Sequence, residues 1–304
     1  MHYKVIYHAM PWELDYVLLT FTQLKKSKYY LSEEDTIEIN PILNLSSYLV
    51  NWEKSKLPKQ LLIDRFNQYL KLLKDYKVTP QIYEGDKLYG HLDHQREAVS
   101  SEVDFYINIC PDMYFSEHLL ALLIESSKQI TNKYFVLTPE IPKMWDGTWD
   151  EITNQDYLDH SYDKWNQVDI FDIRANMKSQ EKGITLDPTQ RSKWAGWFDL
   201  YNKTFWEELC PIQEDWNGYG PHDWYSLMIT DFVKSKGIDF QQYVLRGQTI
   251  FEYPVGPLLE GGYTKMYRDL LYINNVPNQR KIFESNMKLY IDRGVKKLQE
   301  NNII

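Results

Sequence analysis

Cysteine is nearly absent from the 304 residues, with only Cys110 and Cys210 present. Two thiols give no disulfide framework and suit a reducing compartment. No stretch reaches the roughly 18 uninterrupted apolar residues of a membrane span. The opening "MHYKVIYHAMPWELDY" has neither the basic segment nor the long apolar run of a signal peptide. These shortages predict a cytoplasmic protein without a membrane span. Positive charge is also scarce: 34 Lys and Arg stand against 43 Asp and Glu, a formal net charge of −9. That balance excludes a protein that simply coats nucleic acid, which needs a broad basic footprint, and leaves room only for a local basic groove.

Several chemical signatures are missing too. No GxGxxG follows the first strand and no GxxxxGK[ST] occurs, which removes the main support for Rossmann and P-loop readings. HExxH, CxxC and GxSxG are likewise absent. Among the seven histidines only His91 and His94, in "HLDHQREA", form a close pair, and no partner carboxylate or thiolate is spaced to complete a zinc site.

What the chain does have is alternation. "YKVIYH" (3–8) reads as a strand, and Pro11 then opens a helix carrying Leu14, Val17, Leu18, Phe21 and Leu24 at helical spacing. A second strand at 35–46 precedes an amphipathic helix over 57–76, with Leu62, Phe66, Tyr69, Leu70 and Leu73 on one face. A third strand spans 78–85, and a short helix is expected over 91–100. The strand at 103–109 leads to a helix with Ser116 as its expected N-cap, and a further strand covers 133–141. Strand–helix alternation of this kind predicts an α/β fold with a mainly parallel central sheet and helices on both faces.

From about 142 the period loosens into an acidic, aromatic segment, and the last 28 residues read as a polar-faced helix. There is no repeat, low-complexity segment or linker. The expected organisation is one domain, 1–304, with a first half over 1–141 and an elaborated second half over 142–304.

Two carboxylates stand where chemistry is plausible. Asp112 follows the apolar strand "VDFYINI" through Cys-Pro, and the mouth of a strand in an α/β sheet is where ligands bind. Asp223 sits in "GYGPHDW", where Gly218, Gly220 and Pro221 shape a tight loop into a helix start. Both also suit plain structural roles, as a turn residue and a helix N-cap. Taken together, one could hold a divalent cation bridging a diphosphate while the other serves as general base.

The run "HLDHQREAVSSEVDFYINICPDMYFSEHLLALL" resembles the centre of the GT-A class of nucleotide-sugar-dependent glycosyltransferases, chiefly family 2 and its relatives. There an Arg-containing helix, a hydrophobic strand and an Asp-x-Asp bind a divalent metal and the donor diphosphate. Arg96 matches the Arg and Asp112 the second Asp, whereas Cys110 replaces the first. A thiol does not substitute for a hard oxygen ligand of Mg²⁺ or Mn²⁺, so either Asp112 is the sole side-chain ligand or metal dependence is weakened. "WAGWFDLYNKTFWEEL…WNGYGPHDWYSLMITDFVKSKG" resembles the acceptor half of such enzymes, with His222-Asp223 in place of their Glu-Asp pair. The likeness runs over residues 3–240.

The resemblance implies an inverting sugar transfer with Asp223 as base. Arg96, Cys110, Asp112, Trp12 and Asp15 would contact the nucleotide-sugar donor, and Trp197, Gly220, His222 and Trp224 the acceptor. That acceptor would be a saccharide or a hydroxylated base in DNA. Two other readings stay open. The missing first Asp suits a non-catalytic nucleotide-sugar-binding protein, and the Lys-rich "QLKKSKYY", "KSKG" and "RGVKK" suit a viral-type enzyme that glycosylates modified DNA bases.

Overall fold

A computed structural model describes residues 1–86, 102–111, 113–140, 183–186, 198–209, 222–252, 270–274 and 277–304. The strands are β1 (His2–Ala9), β2 (Thr36–Asn44), β3 (Lys77–Val78), β4 (Gln81–Tyr83), β5 (Phe105–Ile109), β6 (Met113–Tyr114), β7 (Tyr134–Glu140), β8 (Gly183–Leu186), β9 (Phe198–Asn202), β10 (Phe240–Thr249) and β11 (Phe251–Glu252). The α-helices are α1 (Leu14–Ser27), α2 (Lys59–Leu70), α3 (Leu119–Ser127), α4 (His222–Ser235) and α5 (Pro277–Glu300).

β1 is the axis of the sheet. It pairs in parallel with β2, from His2–Thr36 to Ala9–Leu43, and in parallel with β5, from Tyr3–Phe105 to Tyr7–Ile109. A strand flanked on both sides and covered on both faces must be apolar nearly throughout, which is how "YKVIYHA" reads. Across the sheet the order is β3-β2-β1-β5-β9-β7-β10-β8, with β4 also paired to β2. β9 lies antiparallel to both β5 and β7, β8 lies antiparallel to β10, and β7 and β10 run parallel to each other. The sheet is therefore mixed and mostly parallel, as the alternation predicts, with β9 inserted against the grain.

Helices cover both faces. On one, Leu14, Val17, Phe21 and Leu24 of α1, Leu62 and Phe66 of α2, and Leu119, Leu120 and Leu123 of α3 join Val5, Tyr7 and Ile107 in a single buried cluster. The Phe21 ring bridges Tyr7 at 5.2 Å and Phe66 at 6.3 Å, which locks α1 between β1 and α2. On the other face Tyr106, Val136 and Tyr201 pack with Phe205 and Trp206 of a π-turn (Phe205–Leu209), Ile229 and Val233 of α4, and Tyr290 and Leu298 of α5. No helix among the described residues is long and apolar enough to cross a membrane.

Three local expectations need correction. Residues 78–85 form two short strands, β3 and β4, because Pro80 removes a ladder donor between them. Ser116 is not the N-cap of α3, which is His118; the Ser116 hydroxyl instead donates to Gln248 Oε1 at 3.2 Å, and its carbonyl accepts from Leu119 N. The ten-residue strand β10 has no counterpart in the sequence reading, since Gln241, Gln242, Arg246 and Gln248 disguise it. The helix expected over 91–100 lies outside the described residues.

At the N-terminal edge of the sheet, buried Glu38 of β2 ties three strands. Lys77 Nζ lies 2.7 Å from Oε2, Lys4 Nζ lies 3.6 Å from Oε1, and Thr79 Oγ1 donates to Oε1 at 2.9 Å. Burial alone would push this carboxyl up, but the bonds from Lys77 and Thr79, with the charges of Lys4 and Lys77, outweigh it and hold the carboxyl below its ordinary 4.5. A depressed value adds stability that is complete above 4.5 and disappears as pH falls through the folded-state value. Glu38→Gln should lower stability at neutral pH by about 1–3 kcal/mol, because it leaves buried donors badly matched. The gap in melting temperature between variant and parent should close as pH is taken below 4.5, and a gap that persists there would rule out this ionic role.

Candidate functional site

Connectivity locates the site. From β1 the chain passes through α1 to β2 on one side, and it later returns to β5 on the other. Where neighbouring parallel strands send their connections to opposite sides, their C-terminal ends leave a crevice, and ligands of open α/β sheets bind there. Here that point lies between the ends of β1 (Ala9) and β5 (Ile109).

The crevice walls are firmly built. On the β1 side, Met10 is the N-cap of the 3-10 turn Pro11–Glu13 that leads into α1, and its N–H donates to Glu13 Oε2 at 2.8 Å. On the β5 side, the buried Thr20 hydroxyl of α1 donates to Pro111 O at 3.0 Å, and Met113 N donates to Cys110 O at 3.4 Å. β6 then pairs with β11, so both flanks of position 112 are tied down. Asp112 itself, with Arg96, Trp197 and Gly220, lies outside the described residues, as do His91 and His94.

Among the described candidates, Cys110 is half-buried and borders the first-face core. Trp12 packs against that same core. Asp15 stands in the first turn of α1 and looks toward α2: burial first, and the Asp15 charge second, push the Tyr69 hydroxyl up. His222, Asp223 and Trp224 form the first turn of α4.

The direction of α4 follows from its exit. Gly237, at φ +80°, ends the helix by a left-handed turn, and β10 begins at Phe240. With Ile229 and Val233 buried against the second face, the helix runs back over the sheet for about 21 Å. Its first turn thus heads to the edge where the parallel strands end, the same edge as the crevice. The Lys-rich segments behave oppositely: Lys25 and Lys26 close α1 and Lys234 closes α4, at helix C-termini where cations complement the dipole.

Some polar residues here escaped the sequence reading. His8 and Asn44, both buried, meet at the ends of β1 and β2, where the Asn44 amide donates to His8 Nε2 at 3.1 Å. Ser46 N donates to Asn44 Oδ1 at 3.3 Å, which turns the amide so that its nitrogen faces the ring. Further along the second face, Asn108 pairs with Asp199 across β5 and β9, and Tyr201 OH donates to Asp199 Oδ2 at 3.0 Å. Asn108 Nδ2, Thr138 Oγ1 and both amide atoms of Gln242 are buried without a hydrogen-bond partner among the described residues. Their signal in the sequence is one polar residue at an inward position of an otherwise apolar strand, as in "YINI" and "FVLT".

Beyond the ends of β2 and β4 lies a cavity of about 370 Å³ lined by Ser47, Tyr48, Asp86 and Asn274. Among the described residues no three His, Cys, Asp or Glu side chains converge to hold a metal ion. The described member of the expected ligand pair, Cys110, offers sulfur, which does not suit a hard cation.

No protein-family model and no curated protein matches the chain. Solved structures similar to it include S. aureus TarS 1–349, 10% identical with a TM-score of 0.44, covering 82% of this chain and 60% of that one. The same protein in complex with UDP is 11% identical with a TM-score of 0.43 and the same coverage. Glucosyl-3-phosphoglycerate synthase from Mycobacterium tuberculosis, in complex with Mg²⁺ and UDP, is 12% identical with a TM-score of 0.40, covering 88% of this chain and 76% of that one. The chain thus spans 60% of the length of the TarS fragment.

Proposed function

We propose that the chain is a glycosyltransferase that moves a sugar from a nucleoside diphosphate to an acceptor hydroxyl with inversion. The observation that carries this reading is the crevice between the ends of β1 and β5, with Cys110 and Pro111 beside it and Pro111 O held by the Thr20 hydroxyl. In the GT-A enzymes that the sequence resembles, the donor diphosphate binds at the matching position, and this supports the reading. In this reading residues 1–141 form the donor half and 142–304 the acceptor half of one domain.

The chemistry assigned to the residues is simple. Asp223 takes the acceptor proton as the hydroxyl oxygen attacks the anomeric carbon. The bond from that carbon to the diphosphate oxygen breaks, and its electron pair leaves with the diphosphate. Attack opposite the leaving group gives one displacement. Arg96 supplies positive charge to the departing diphosphate, and Trp12 and Asp15 contact the nucleoside end. Trp197, Gly220, His222 and Trp224 shape the acceptor side. Mn²⁺ or Mg²⁺ is the cofactor the likeness implies. Since the Cys110 sulfur does not fit such an ion, no step here passes through one.

Asp223→Asn decides the catalytic assignment. Asp223 is the second residue of α4 and not its N-cap. Asn therefore keeps the size and forfeits only the favourable interaction of a first-turn charge with the helix dipole, about 0.3–1 kcal/mol, and the melting temperature should fall little. Loss of a general base should lower turnover by about 10²–10⁴-fold. Full turnover at unchanged stability would refute the role. For the donor side, calorimetry with UDP, GDP, CMP and dTDP, each with and without Mn²⁺, should show one nucleotide binding the parent. Asp112→Ala should weaken that binding, and unchanged affinity would count against the assignment. Cys110→Asp should tighten Mn²⁺ binding if sulfur is the defect.

A further inference from the structure

The cavity at the ends of β2 and β4 is walled by a segment from far along the chain. Residues 270–274 cross the loop 47–56 as a strap. Lys56 N donates to Leu270 O at 2.7 Å, Asn51 N to Tyr272 O at 2.8 Å, and Asn274 N to Leu49 O at 2.9 Å. Val50 and Ile273 form an antiparallel bridge, and Tyr272 N donates to Ser55 Oγ at 3.0 Å.

At the cavity end of the strap the contact changes from backbone to side chain. The Asn274 amide donates both its protons, to Ser47 O at 2.8 Å and to Tyr48 O at 3.0 Å. From the opposite side Gly85 O receives Ser47 N at 2.7 Å and Ser47 Oγ at 2.6 Å. Gly85 adopts φ +101°, a left-handed conformation that suits glycine, so this carbonyl is aimed by the backbone itself. The Ser47–Tyr48 segment is therefore gripped from both flanks, and both of its residues line the cavity.

We infer that Asn274 is a positioning residue for donor binding: by holding two consecutive carbonyls it fixes the wall formed by Ser47 and Tyr48. This rests on the reading that the C-terminal edge of the sheet takes a nucleoside diphosphate. The rest of the strap serves attachment alone. Its bonds at Leu270 and Tyr272 reach Lys56, Asn51 and Ser55, none of which lines the cavity.

That division gives the test. Asn274→Ala removes the two cavity-side bonds, and Ser55→Ala removes two bonds at the far end of the strap, the one from Tyr272 N and the one that Ser55 Oγ donates to Asn51 O at 2.8 Å. Net hydrogen bonds contribute about 0.5–1.5 kcal/mol each, so losing two should raise the Kd for UDP about tenfold. Ser55→Ala should leave that Kd unchanged while lowering the melting temperature by a comparable amount. Amide hydrogen exchange supplies a ligand-free readout: exchange at Ser47 N and Leu49 N should accelerate in Asn274→Ala and not in Ser55→Ala. Equal nucleotide affinity in Asn274→Ala and parent, or equal exchange at those amides, overturns the inference. If the parent binds no nucleoside diphosphate, the glycosyltransferase reading falls, and with it the donor role of Asn274. The exchange result then reports only whether the wall is pinned.

Discussion

Parallel pairing of β1 on both its edges is the constraint from which the other features follow. Because β2 and β5 must both reach β1 in parallel, each connection has to cross a face of the sheet, and α1 and α2 fill the crossings on one side. The Phe21 ring, wedged between Tyr7 and Phe66, couples that helix layer to the strand it came from. The same pairing leaves the ends of β1 and β5 side by side with their chains departing in different directions. Structure and candidate site therefore share an origin, and neither would survive loss of the β1–β5 register.

Polar groups within the sheet are divided between its two ends. At the N-terminal edge the charges are satisfied, since Glu38 meets Lys4, Lys77 and Thr79. Toward the other edge, buried His8, Asn44, Asn108, Asp199 and Thr138 replace the apolar residues that line the middle. His8, Asn44 and Asp199 find partners there, whereas Asn108 Nδ2 and Thr138 Oγ1 have none among the described residues, and each such buried group costs about 1–3 kcal/mol.

Much of the first half was legible in the sequence because its strands are buried on both faces and read as apolar runs. β1, β2 and β5 fall where their patterns put them, as do α1, α2 and the final helix. β10 was not legible, because the adjacent Gln241 and Gln242, with Arg246 and Gln248, break its period. Neither was the place of β9: that it enters between β5 and β7, antiparallel to both, is set by tertiary pairing that no local pattern encodes. The candidate site divides along similar lines. Asp112 and Asp223 stand out through the Pro and Gly residues around them, which are local signals. The His8–Asn44 contact spans 36 residues and the grip of Asn274 on Ser47 spans 227, so both needed the folded chain to be seen.

The late arrival of β9 bears on how the molecule is made. β5 ends at Ile109, yet the strand that covers its outer edge does not begin until Phe198. At about 5–20 residues per second of synthesis, that edge waits several seconds with its backbone groups open. An uncovered apolar strand is a template for wrong partners, and "FYINI" carries no charge to deter them. The nascent chain is thus most exposed to mispairing during the stretch between its two halves, and a ribosome pausing there would lengthen the hazard.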